Sequence, residues 1–86
     1  MVTNFERGLE AVQRGDFALA DTLFEAELAH SNQPNSKVFK HHGILLLKMG
    51  KYISAMIKFD SYLVNHPNDR VCLLGKKIAL DLLNKE

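Results

Sequence analysis

Cysteine is nearly absent. Cys72 is the only one in 86 residues, so no internal disulfide can form, and the simplest expectation is a buried thiol in a reducing compartment. Long hydrophobic runs are missing too. The longest aliphatic run, Ile44–Leu47, is far too short to span a bilayer. Met1–Arg7 has no apolar core behind a basic start, so no signal peptide is expected and the default location is cytoplasmic. Neither sign of charge is in excess: 11 Lys and Arg stand against 10 Asp and Glu, a net charge of +1. Such a balance gives no long-range field for nucleic acid or an anionic membrane, and neither is an expected partner.

Chemical motifs are equally scarce. There is no nucleophile elbow, phosphate loop or dinucleotide fingerprint. Four histidines invite a metal reading, but none are spaced as His-x-x-x-His. His41 and His42 are adjacent, so on a helix they point about 100° apart and cannot hold one ion from a single face. Glu25, Glu27 and Asp60 read as solvated helix positions. No enzyme activity, cofactor or metal is expected. Strand alternation is absent as well, and 47% apolar with 24% charged residues is ordinary for one small globular domain.

What is present is a repeat. Gly8 matches Gly43, Gly15 matches Gly50, Phe17 matches Tyr52, Ala20 matches Ala55, Phe24 matches Phe59 and Leu28 matches Leu63, each pair 35 apart (43−8, 50−15, 52−17, 55−20, 59−24, 63−28). A fixed period in this range signals stacked helical units. Local signals divide the chain into five helices. Thr3 and Glu6 form a capping box for a helix from about Asn4 to Arg14, with Phe5, Leu9 and Val12 on one face. Gly15 supplies a left-handed stop and Asp16 the next cap, for a helix from about Phe17 to His30. Residues 31–35 are rich in turn formers. Asn35 or Ser36 caps a third helix to about Met49, which Gly50 ends. The fourth runs from about Tyr52 to Asn65, stopping before His66-Pro67 because the residue before proline avoids the helical region. Asn68 or Asp69 caps a fifth, about Arg70–Asn84. Met49, Met56, Ile53 and Ile57 read as core packing around the fourth helix.

These residues resemble the tetratricopeptide repeat family over nearly the whole chain. The first copy offers Gly8, Gly15-Asp16-Phe17, Ala20, Phe24 and Pro34; the second offers Gly43, Gly50-Lys51-Tyr52, Ala55, Phe59 and Pro67. Leu74-Gly75 resembles the opening helix of a third unit. The resemblance implies an all-α, right-handed superhelical fragment of antiparallel helix-turn-helix repeats. Repeat 1 covers about 3–35, repeat 2 about 36–68, and a capping helix about 69–84. Small residues at Gly8, Gly43, Ala20 and Ala55 allow close helix crossings, with Phe24 and Phe59 filling the space between.

The resemblance also implies a concave groove lined by the first helix of each hairpin. Its residues would be Phe5, Leu9, Val12 and Gln13, then Lys40, Ile44, Leu47 and Lys48, with Lys37 beside them. The fifth helix would add Cys72, Lys76, Ala79 and Leu80. Val71, Leu74, Ile78 and Leu82 suit packing on the fourth helix. A second stripe, Leu73 and Leu80 with Cys72, Ala79 and Leu83 beside it, is expected to face outward and to support self-association. The expected function is non-enzymatic binding of a partner helix or peptide in the groove, as an adaptor or chaperone. The alternative is a homo-oligomeric scaffold, most simply a dimer, or one piece of a longer array.

Overall fold

The computed structural model describes residues 2–32 and 35–85. Pro34, the closing proline of the first copy, lies outside the described residues. The fold is all-α: α1 (Asn4–Gln13), α2 (Phe17–His30), α3 (Lys37–Lys48), α4 (Tyr52–Leu63) and α5 (Arg70–Asn84). Successive helices are joined by short connections and pack as antiparallel neighbours. The described residues contain no strand.

The local signals act as their chemistry requires. The Glu6 amide donates to Thr3 Oγ1 at 3.1 Å, and the Thr3 amide donates to Glu6 Oε1 at 3.3 Å, closing the capping box. Asp16 accepts from the Leu19 amide at 3.2 Å, and Asp69 from the Cys72 amide at 3.0 Å. At the head of α3 the cap comes from Asn35, whose Oδ1 accepts from the Lys37 amide at 2.9 Å, while Ser36 makes no side-chain cap bond. Gly15 and Gly50 both have φ +79°, the left-handed conformation that costs a side chain about 1–2 kcal/mol. α4 ends at Leu63, two residues before the expected Asn65, where the Asn65 amide tightens to an i→i−3 bond with the Tyr62 carbonyl.

The matched pairs pack alike. Phe24 and Phe59 are fully buried, as are Ala20 and Ala55. A Cβ on Gly8 would lie 2.5 Å from Phe24 Cε1, and one on Gly43 would lie 2.6 Å from Phe59 Cε1. Carbon atoms do not approach so closely, so each hairpin closes a phenylalanine ring onto a bare backbone. Two cores result. One joins Phe5, Ala11, Ala20, Leu23 and Phe24 with Val38 and Leu45 of α3. The other joins Leu46, Ala55, Phe59 and Tyr62 with Cys72 of α5. α3 therefore faces both, one side to each.

Two expectations about α4 and α5 fail in part, although Met49 packs against the first core and Leu82 is half-buried. Ile53 and Ile57 are exposed, 61% and 58%, and do not pack in the core. Val71, Leu74 and Ile78 are exposed as well, and do not pack on α4. α5 instead turns Cys72, Gly75 and Ala79 inward. The reason is the Phe59 ring. A Cβ on Gly75 would lie 2.6 Å from Phe59 Cε2, the edge opposite to the one that meets Gly43. With that ring occupying the interface, only small side chains fit against it, and the branched ones rotate outward.

Candidate binding surface

The edge of Phe59 that Gly75 meets fixes the register of α5. Gly75 packs on the preceding hairpin and is not the counterpart of Gly43. The residues of α3 that face the first core, Val38 and Leu45, correspond to buried Cys72 and Ala79 at a spacing of 34 (72−38, 79−45). His42 of α3 reaches Asp21 and Glu25 of α2, and 34 residues on (76−42) Lys76 reaches Asp60 of α4. Phe39, Gly43 and Leu46, which pack on α4, correspond to Leu73, Lys77 and Leu80 (73−39, 77−43, 80−46). The remaining flank of α3, Lys37, Lys40 and Ile44, continues as Val71, Leu74 and Ile78 (71−37, 74−40, 78−44).

The expected groove residues divide accordingly. Phe5 belongs to the core: it is 9% exposed, with its ring 6.2 Å from that of Phe24 and 5.5 Å from that of His41. Leu9 and Val12 are half-buried against the first core, and Ile44 and Leu47 against the second. Gln13, Lys37 and Lys48 are exposed. Lys40 is held within the chain: its Nζ donates to Asp69 Oδ2 at 3.0 Å and lies 5.6 Å from the Tyr62 ring centre. Cys72 and Ala79, expected both in the groove and beside the outward stripe, are fully buried, because only small groups fit against Phe59. Lys76, expected in the groove, pairs with Asp60 of α4. Leu73 and Leu80 are 47% and 45% exposed, and Leu83 is half-buried. On the flank that continues Lys37, Lys40 and Ile44, α5 offers Val71, Leu74 and Ile78, 43%, 58% and 39% exposed. Their i, i+3, i+7 spacing was visible in the sequence, but not the side they would take.

The carboxyl of Asp69 sits below its ordinary 3.8, held there by the Cys72 amide and then by Lys40. Lys40 is raised above its ordinary 10.5, chiefly by its hydrogen bond to Asp69. Burial, with the nearby Asp69 charge, pushes the Cys72 thiol up to about 11, so the thiol stays protonated and unreactive near neutrality. Asp69 therefore contributes stability that is complete above its unfolded value and disappears as pH falls through the folded one. Cys72 favours the fold below its ordinary 9.0, and that contribution disappears as pH rises towards 11. Asp69→Asn is expected to lower stability at neutral pH and to flatten the acid side of a plot of urea midpoint against pH. An acid limb as steep as the parent's would show that other carboxylates carry it.

A second cluster joins α2, α3 and α4, and motif spacing gave no sign of it. His42 is fully buried, and its Nε2 lies 2.6 Å from Asp21 Oδ1 and 3.6 Å from Glu25 Oε1. Facing a carboxylate, Nε2 carries the proton; Nδ1 has no hydrogen-bond partner among the described residues. Lys51 Nζ lies 4.0 Å from Asp21 and Lys58 Nζ 3.7 Å from Glu25, beside a cleft of about 290 Å³. Asp21, Glu25 and His42 have the spacing of a possible metal-ligand set. With the two lysines beside the same carboxylates, the cluster forms an ion-pair seam joining α2, α3 and α4.

No helix among the described residues is long and apolar enough to cross a membrane. Comparison of the chain with family models, with curated proteins and with solved structures finds no match.

Proposed function

We propose that this chain is a protein-binding module of the tetratricopeptide type, non-enzymatic, that seats a partner helix or peptide across α3 and α5. The observation that carries the reading is the exposed row Val71, Leu74 and Ile78, the counterpart in α5 of the α3 flank that carries exposed Lys37 and half-buried Ile44. Scattered apolar residues on a surface need no explanation, but a row at helical spacing marks an interaction face. Covering it is worth about 25 cal/mol per Å² of apolar surface. A helix laid on such a face reads it through side chains at i, i+3 and i+7, and Lys37 on the α3 flank favours ligands with acidic flanks. The adaptor or chaperone role belongs to this same reading.

The test is selection of peptides from a random display library against the parent, followed by titration on Leu74→Glu/Ile78→Glu. Both residues are exposed, so the double variant is expected to melt like the parent while selected peptides bind about tenfold more weakly or worse. Equal binding by the folded double variant would reject the face.

A further inference from the structure

The opposite flank of α5 carries the positions that in α3 face the second helix of its hairpin. In α3 the residues that meet α4 are Phe39, Gly43 and Leu46. Their counterparts in α5, Leu73, Lys77 and Leu80, are only partly covered by the described residues: Leu73 and Leu80, seven residues apart (80−73), are 47% and 45% exposed. The middle position changes what can dock. Gly43 leaves room for the Phe59 ring at contact distance, whereas Lys77 fills that space with a cation that has no ion-pair partner among the described residues. A further helix of the chain's own repeat design, with a phenylalanine at its centre, would meet the Lys77 side chain where Phe59 meets bare backbone at Gly43. A second copy docked two-fold through this flank of α5 would set Lys77 of one copy against Lys77 of the other.

We infer that this flank docks an amphipathic helix of a partner protein that carries a central acidic residue between apolar ones. The helix lies antiparallel to α5, as α4 does to α3. Its carboxylate meets the Lys77 ammonium, and its apolar residues cover Leu73 and Leu80. The surface is separate from the Val71–Leu74–Ile78 row and stands or falls apart from it. An apolar pair straddling one unmatched charge gives such an interface both affinity and register.

The probes are a synthetic leucine-rich amphipathic helix with one central glutamate and its twin with lysine in that place. Binding is read by fluorescence anisotropy, and its location by amide chemical shifts. The glutamate peptide is expected to bind about tenfold more tightly than its twin and to move the signals of Leu73, Lys77 and Leu80. Lys77→Glu, an exposed change, reverses the preference, and Leu74→Glu/Ile78→Glu leaves it unaltered. Equal binding of the twins, no binding of either, or shifts confined to Ile44 and Leu74 would overturn the inference. So would a dimer by light scattering that Leu73→Glu/Leu80→Glu disperses, since a second copy would then be the cover.

Discussion

Phe59→Ala is expected to unfold this protein or bring it to the edge of unfolding. The ring is fully buried and wedged between two helices, with Gly43 of α3 at one edge and Gly75 of α5 at the other. Removing it leaves a cavity bordered by α3, α4 and α5 together. Backbone lines two of its walls, and backbone cannot repack as side chains do. Phe→Ala in a core costs about 3–5 kcal/mol. At about 0.05–0.15 kcal/mol per residue, a chain of 86 residues has roughly 4–13 kcal/mol to lose. Urea denaturation followed by circular dichroism measures the change. A loss below about 1 kcal/mol would mean that the ring does not hold the three helices together.

Gly43→Leu is expected to have the second largest effect, for the opposite reason. Its Cβ alone would stand 2.6 Å from Phe59 Cε1 and 2.7 Å from Cδ1, and the ring cannot retreat because Gly75 lies behind it. Overpacking typically costs about 1–3 kcal/mol and occasionally more, and a blocked retreat puts this site at the upper end. Even Gly43→Ala should lose stability, although alanine gains about 1 kcal/mol in helix propensity over glycine. The glycines of the turns fail differently. Gly15 has nothing within 4 Å of an added Cβ, only its φ of +79°. Asparagine tolerates that conformation, so Gly15→Asn should be mild where Gly43→Asn is severe. Thermal melting of the two asparagine variants separates crowding from backbone strain, and equal melting temperatures would reject the distinction.

Much of the molecule was legible because its signals are local. A capping box, two left-handed glycines and two aspartate caps each act within a few residues, so the five helices and most of their ends follow from neighbours in the chain. The spacing of 35 also carried packing, since a residue repeated in register meets the same neighbours in each unit. Phe24 and Phe59 are equally buried for that reason. The ion-pair seam was not legible, because Asp21 and His42 are brought together only when α3 docks on α2.

The orientation of α5 marks the boundary. By itself the sequence determined that α5 is a helix, where it begins, and that apolar residues occupy most of its circumference. It did not determine which flank turns inward, because helical spacing groups residues into faces without ranking them. Size favoured Val71, Leu74 and Ile78 for the core, and they are outside; Cys72, Gly75 and Ala79 are inside. Only the tertiary structure decided this, through a ring from another helix that leaves space for a glycine and nothing larger. The same choice placed Lys76 on Asp60, left Lys77 without a partner among the described residues, and set the two exposed faces of α5.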